Sequence, residues 1–70
     1  MDIAKLVGNR IKEARKTVGL TQVDVARSFR MTQQQYSRFE NGVFELNYEQ
    51  LIAVCKLFRI TPNELLGFDE

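Results

Sequence analysis

Apolar residues recur at steps of three and four along the whole chain, which is the spacing of one face of an α-helix. The clearest stripe consists of Ile3, Val7, Ile11, Ala14 and Val18. It predicts a first helix over residues 2–18, and Gly19 stands where a left-handed residue ends a helix. The same spacing predicts further helices over residues 21–29, 32–41, 48–58 and from Thr61 onward. No segment alternates with a period of two, so the predicted fold class is all-α, a compact domain of five helices.

The four later helices each begin with a residue that can cap a helix. In a capping box, the side chains of a first and a fourth residue each accept a hydrogen bond from the backbone N–H of the other. Three segments have this form: Thr32 to Gln35, Asn47 to Gln50 and Thr61 to Glu64. Thr21 to Asp24 is a weaker version of the same pattern. Because each cap contributes about 1 kcal/mol, four of them matter in a chain of 70 residues.

The cysteine and histidine content restricts the chemistry that the chain can perform. It has one Cys and no His, so neither an intramolecular disulfide nor a zinc site is expected. The residues of the fourth helix that are expected to face the core are Leu51, Ile52, Val54, Cys55 and Phe58. No histidine can activate the Cys55 thiol, which is therefore interpreted as a small core residue. The chain is expected not to be an enzyme and to need no cofactor.

The length and the charge distribution restrict the domain organisation, the location and the kind of partner that are expected. Seventy residues allow one domain, over 1–70, and nothing resembles a signal peptide or a membrane span, so a cytoplasmic location and no membrane partner are expected. Residues 1–38 carry eight basic and three acidic side chains, whereas residues 39–70 carry two and six. This asymmetry indicates a polyanionic partner, although chance clustering on a solvated surface would give the same count.

The segment TQQQYSRFENG, residues 32–42, has a polar face and an aromatic face when it is placed on a helix. The polar face, an arc of about 140°, consists of Gln33, Gln34, Ser37, Arg38 and Asn41. Tyr36 and Phe39 lie on the opposite, core-facing side, and Gln35 stands where a capping box would use it. In the major groove Gln pairs with adenine and Arg with guanine, so this face suits the reading of DNA. An ordinary solvent-exposed polar face remains the alternative.

Residues 8–66 resemble, without a gap, the helix-turn-helix domain of the phage repressor and Cro type, the XRE family. The residues that carry this resemblance are Arg15, Gly19-Leu20-Thr21-Gln22, Val25-Ala26, Met31-Thr32, Ser37, Glu40-Asn41-Gly42, Leu51, Phe58 and Leu65-Leu66. The resemblance implies a lambda-repressor-like fold whose helices 2 and 3 form the helix-turn-helix motif. It also implies that helix 32–41 enters the major groove of double-stranded DNA.

The resemblance assigns roles to particular residues. The residues expected to read bases are Gln33, Gln34 and Arg38. The residues expected to contact phosphates are Thr21, Gln22, Ser37 and Asn41. A structural ion pair between Arg15 and Glu40 is expected to tie the first helix to the recognition helix, with no contact to DNA.

The sequence departs from the family pattern at three places. Arg30 and Arg59 occupy positions where glycine is usual, so a positive φ is expected at each, at a cost of roughly 1 kcal/mol. The loop Val43-Phe44-Glu45 replaces a loop that is basic in the phage repressors. Fewer phosphate contacts should weaken DNA binding and reduce its salt dependence.

The residues that suggest a dimer surface are Val43, Phe44 and Tyr48, although they could equally fold onto the domain's own core. The predicted function is a sequence-specific DNA-binding transcriptional regulator, a repressor that binds a palindromic operator as a homodimer. Its control is expected to come from its own concentration or from a regulatory protein partner. The alternative is a protein-interaction module, such as a docking or antitoxin-type domain that uses the same scaffold to bind a partner.

Overall fold

Five helices account for most of the chain in the computed structural model, which describes residues 2–68. They are α1 Ile3–Thr17, α2 Gln22–Ser28, α3 Gln33–Glu40, α4 Tyr48–Phe58 and α5 Pro62–Leu66. No strand occurs among residues 2–68, so the prediction of an all-α domain with five helices is confirmed. Asp69 and Glu70, which contribute to the acidic half of the sequence, lie outside the described residues.

All four predicted capping boxes form. In each box the first residue's side chain accepts a hydrogen bond from the backbone of the fourth residue, whose own side chain accepts one in return. The box at Thr21 to Asp24, the weaker pattern in the sequence, is as complete as the others. α1 begins at a simpler cap, in which Asp2 Oδ1 accepts a hydrogen bond from the Lys5 N–H at 3.1 Å.

Two arginines adopt the left-handed conformation that the family resemblance implies. Arg30, which follows α2, has a φ of 56°, and Arg59, which caps the end of α4, has a φ of 57°. Gly19 also has a positive φ, 80°, at the end of α1, as expected. A side chain in this region costs roughly 1 kcal/mol relative to glycine, so both arginines occupy strained positions.

The core lies where all five helices meet. Its fully buried side chains are Ile11, Val25, Tyr36, Val54 and Leu65, one from each helix. Cys55 is buried as expected, and burial together with the nearby Glu64 raises the pKa of its thiol, which makes the thiolate scarcer at neutral pH. Ile52 was expected to face inward, and that prediction is wrong, because its side chain is 52% exposed. It lies about 100° around the helix from Leu51, beyond the arc that faces α1 and α5.

α1 and α3 lie very close together at Gly8. A Cβ atom at this residue would lie 2.5 Å from the carbonyl oxygens of both Phe39 and Glu40. Only glycine allows this approach, which fixes the end of α3 against α1.

None of the helices in the described part of the chain is long and apolar enough to cross a membrane.

Candidate nucleic-acid interface

α2, a tight turn and α3 form the helix-turn-helix unit. α2 ends at Ser28, Arg30 provides the left-handed residue of the turn, and Thr32 caps α3. The Met31 N–H donates a hydrogen bond to the Ala26 carbonyl at 2.9 Å, which closes the turn. As a result the beginning of α2 and the outer side of α3 lie on the same surface.

The three predicted base readers lie together on this surface. Gln33, Gln34 and Arg38 are exposed and, with Gln22 and Ser37, line one polar depression. Gln35 does not belong to this set, because its Oε1 accepts a hydrogen bond from the Thr32 N–H at 2.9 Å, as its capping role requires. The structure therefore places Gln33, Gln34 and Arg38 as expected, while their contact with bases stays a prediction.

The predicted phosphate-contacting residues divide into two groups. Gln22 and Ser37 line the same depression as the base readers, whereas Thr21 and Asn41 do not. The Thr21 hydroxyl accepts the capping hydrogen bond from the Asp24 N–H at 3.1 Å. Asn41 Nδ2 donates a hydrogen bond to Ser37 Oγ at 3.2 Å, which places these two side chains together near the end of α3.

A buried ion pair supports α3 from beneath. Arg15 donates hydrogen bonds from Nε to Glu40 Oε2 at 2.7 Å and from Nη2 to Glu40 Oε1 at 3.3 Å. The Glu40 side chain is 1% exposed and the Arg15 side chain 11%. Arg15 also donates from Nη1 to the Leu20 carbonyl at 2.9 Å, so it ties α3 to α1 and to the loop that follows α1. The expected structural pairing is present.

The electrostatics of this pair favour its charged form. Burial acts to raise the pKa of Glu40, but the neighbouring Arg15, Tyr36 and Gln22 side chains outweigh it, so that the pKa of this carboxyl lies below its usual range. The hydrogen bond to Glu40 raises the pKa of Arg15 above its usual value. The pair is therefore ionised at neutral pH, and Glu40 can only accept hydrogen bonds.

A chain of hydrogen bonds connects this ion pair to the first predicted base reader. Gln22 Nε2 donates to Glu40 Oε1 at 3.0 Å, and Gln33 Nε2 donates to Gln22 Oε1 at 3.4 Å. Because the Glu40 carboxylate cannot donate, it fixes which end of the Gln22 amide points outward. That orientation in turn selects an N–H of Gln33 as its partner. The Gln33 amide keeps its oxygen and its second N–H for a further partner.

The loop after α3 wraps back onto that helix. The Val43 and Phe44 N–H groups both donate to the Arg38 carbonyl, at 2.8 and 3.3 Å. The Phe44 ring packs edge-on against Phe39, with 5.8 Å between the ring centroids. The Arg38 guanidinium lies over the same ring, 5.5 Å from its centroid. Sequence reasoning missed this last contact, since it depends on the path of a loop whose residues show no periodicity.

The three residues proposed as a dimer surface differ in their surroundings. Phe44 folds partly onto the core through Phe39, and it also lines a small apolar pocket of about 100 Å³ between α1 and α4. Val43 is 66% exposed and Tyr48 87% exposed. The core interpretation therefore applies in part to Phe44, and the other two side chains remain available to a partner.

No three His, Cys, Asp or Glu side chains among residues 2–68 are grouped so that they could hold a metal ion.

Comparison with known sequences places the chain in a family. The helix-turn-helix family profile matches residues 11–65, most of the chain. The chain belongs to the XRE-type helix-turn-helix family. Two curated proteins are similar to it. Antitoxin PezA of Streptococcus pneumoniae is 32% identical over 65 residues, which are 93% of this chain and 41% of PezA. The HTH-type transcriptional regulator ImmR of Bacillus subtilis is 30% identical over 64 residues, 91% of this chain and 50% of ImmR.

Solved structures confirm the helix-turn-helix fold. The DNA-binding domain of BldD from S. venezulae superposes with a TM-score of 0.78 at 20% identity, covering 94% of this chain and 99% of that domain. A crystal structure of the DNA-binding domain of BldD gives a TM-score of 0.77 at 21% identity, covering 91% and 93%. The family and the fold are those of DNA-binding regulators rather than of enzymes. The chain spans half or less of the length of PezA and ImmR.

Proposed function

We propose that the chain is a sequence-specific DNA-binding regulator that inserts α3 into the major groove. The observation that carries this proposal is the set of exposed side chains on the outer side of α3, two amides and one guanidinium, gathered beside the beginning of α2. These are the groups that distinguish adenine and guanine by paired hydrogen bonds. α2 would brace against the backbone through Thr21 and Gln22, at a helix N-terminus whose partial positive charge favours phosphate.

The hydrogen-bond chain supports a specific role for Gln33. One N–H of its amide bonds to Gln22, which leaves Oε1 and the second N–H directed elsewhere. Adenine offers N6–H as a donor and N7 as an acceptor in the major groove, and these match the two remaining groups. Gln33 is therefore proposed to read adenine without losing its contact with Gln22. Ser37 and Asn41, close together near the end of α3, are proposed to contact a phosphate.

The regulator is proposed to act as a homodimer that represses by occupying a palindromic operator. A two-fold dimer presents two recognition helices to successive turns of one side of the duplex. Val43, in the loop after α3, and Tyr48, at the beginning of α4, are large and exposed, so they are proposed to contribute to the dimer surface with Phe44. The name of ImmR, a transcriptional regulator, is consistent with this role. A cytoplasmic location follows from the same proposal.

A second candidate function is a protein-interaction module, and one observation favours it. PezA is an antitoxin by name, and this chain matches 41% of its length. In this function a regulatory protein partner binds the loop at Val43 and Phe44, and the outer side of α3 is not used. The two functions predict opposite sensitivities to substitution on α3.

The test is selection of bound duplexes from a randomised DNA pool at about 150 mM salt, near physiological ionic strength. The expected result is a palindromic consensus with half-sites about one helical turn apart. The variants Gln33→Ala and Gln34→Ala should each lose preference at one base pair of the half-site. Asn63→Ala is the matched control, since this exposed amide lies on α5, which packs against α1 and α4. Absence of any enriched sequence would contradict the proposal and favour the interaction module.

A further inference from the structure

Arg38 is the only charged side chain among the three predicted base readers, and it is held differently from the two glutamines. Its guanidinium carbon lies over the Phe44 ring, 5.5 Å from the centroid, within the range of a cation–π contact. None of the hydrogen bonds among residues 2–68 uses the Arg38 guanidinium. Its N–H groups are therefore available, while the position of the group is restricted by the ring.

Both the backbone and the ring of Phe44 are fixed. The Phe44 backbone N–H donates to the Arg38 carbonyl at 3.3 Å, and the Val43 N–H donates to the same oxygen at 2.8 Å. The ring packs edge-on against Phe39, which is buried in the core. Gly42, with a φ of 74°, allows the chain to reverse direction between α3 and this loop. The ring is thus attached both to the recognition helix and to the core beneath it.

We infer that Phe44 is a positioning residue that holds Arg38 for the base pair it reads and so strengthens the preference at that pair. This inference rests on the proposed function, because it concerns the specificity of the same surface. An arginine side chain loses much conformational freedom when it binds, and a ring that already restricts it lowers that cost. A cation–π contact engages the guanidinium without using its N–H donors, which remain free to pair with guanine O6 and N7.

With this role for Phe44, the loop after α3 is part of the surface that reads DNA. Without the ring, Arg38 still carries its charge but can reach several acceptors, including phosphates of the backbone. Its attraction to DNA would then persist while its preference for one base pair declines. Phe44 therefore contributes to specificity more than to affinity, which distinguishes it from a residue that only stabilises the fold.

The experiment compares selections from the randomised duplex pool by the wild type, Arg38→Ala, Phe44→Leu and Phe44→Tyr. Arg38→Ala identifies the base pair that this arginine reads. At that pair Phe44→Leu should reduce the preference for guanine about two- to fivefold, the size of an exposed cation–π contact. Phe44→Tyr, which keeps the ring, should retain the preference. The base pairs assigned to Gln33 and Gln34 should be unchanged in both Phe44 variants.

Two readouts separate positioning from a general loss of structure. Thermal unfolding shows whether Phe44→Leu is folded at the temperature of the selection. In the free protein, the side-chain NMR signals of Arg38 should be shifted upfield by the ring current in the wild type and in Phe44→Tyr, but not in Phe44→Leu. Equal Arg38 signals in the wild type and Phe44→Leu would overturn the inference whether or not DNA binds.

The outcomes also distinguish this inference from the proposed function. If the wild type enriches no sequence, both are overturned. If the wild type enriches a consensus and Phe44→Leu keeps the full preference at the pair read by Arg38, only the role of Phe44 is overturned. The same conclusion follows if Phe44→Leu weakens the preference equally at every pair of the half-site.

Discussion

The inner side of α3 carries a buried carboxylate that is hydrogen-bonded within the protein, whereas the predicted base readers on the outer side are exposed to solvent. On the inner side, the Glu40 carboxylate accepts hydrogen bonds from Arg15 and Gln22 and is almost completely buried. On the outer side, Gln34 and Arg38 are exposed, and no hydrogen bond among residues 2–68 uses their side chains. A buried charge must be paired, because leaving it unpaired costs several kcal/mol. An exposed polar or charged group needs no partner in the protein, since water forms its hydrogen bonds at little cost.

The eight residues of α3 therefore serve stability on one side of the helix and binding on the other. The inner side fixes the position of the helix, and the outer side presents groups to a partner that the helix position makes reachable. Gln22 connects the two sides, since its amide bonds to Glu40 at one end and to Gln33 at the other. Substitutions on the inner side should therefore change the free energy of unfolding, and substitutions on the outer side should change DNA binding alone.

The largest effect is expected from removing Arg15. In Arg15→Ala the Glu40 carboxylate stays buried with Gln22 as its remaining hydrogen-bond donor among the bonds described above. We expect the free energy of unfolding to fall by about 3–5 kcal/mol, measured by urea denaturation. Lys16→Ala, an exposed neighbour on the same helix, is the control and should change it by less than about 0.5 kcal/mol. Equal effects from the two variants would show that the ion pair contributes nothing specific.

Gly8→Ala should produce the next largest effect. The added Cβ would lie 2.5 Å from the Phe39 and Glu40 carbonyl oxygens, so α1 and α3 must move apart. We expect a loss of about 1–3 kcal/mol in the free energy of unfolding. Helix propensity acts in the opposite direction, because alanine is favoured over glycine by about 1 kcal/mol. The control is Asn9→Ala on the exposed side of α1, and a stabilising Gly8→Ala would contradict the close approach.

Arg30→Gly should stabilise the fold, because it relieves strain in the turn that orients both sides of α3. Glycine adopts the φ of 56° without the steric cost that Arg30 bears. The gain should be about 0.5–1 kcal/mol, since glycine also increases the entropy of the unfolded chain. Arg27→Gly, within α2, is the control with the opposite sign and should cost about 1 kcal/mol. A lower melting temperature for Arg30→Gly would show that the turn is not strained.

Most of the local structure could be predicted from the sequence pattern, whereas the positive φ of Arg30 was expected only because glycine is usual at this position in the family. Helix ends depend on residues within four positions of each other, so the boxes at Thr21, Thr32, Asn47 and Thr61 are visible in the sequence. The side of α3 that faces the core follows from its period in the same way. The ion pair of Arg15 and Glu40 was expected only because the chain resembles a family, not because of any local pattern.

What sequence reasoning could not supply depends on how separate segments pack. The exposure of Ile52 is determined by which helices flank α4, and the constraint on Gly8 by how close α3 comes to α1. The contact of Phe44 with Arg38 depends on a loop that folds back after Gly42. In each case the deciding neighbour is distant in sequence or lies across an irregular turn, where neither periodicity nor capping rules apply.

The smallest change in stability is expected on the outer side of α3. Gln34→Ala removes an exposed amide that makes no hydrogen bond with residues 2–68, so the free energy of unfolding should change by less than about 0.5 kcal/mol. The preference for one base pair should fall by about 1–3 kcal/mol if the amide reads that base. Urea denaturation and binding to the selected duplex measure the two quantities on the same variant. A large loss of stability without a change in base preference would reverse the assignment of the two sides, because Gln34 would then support the helix instead of reading DNA.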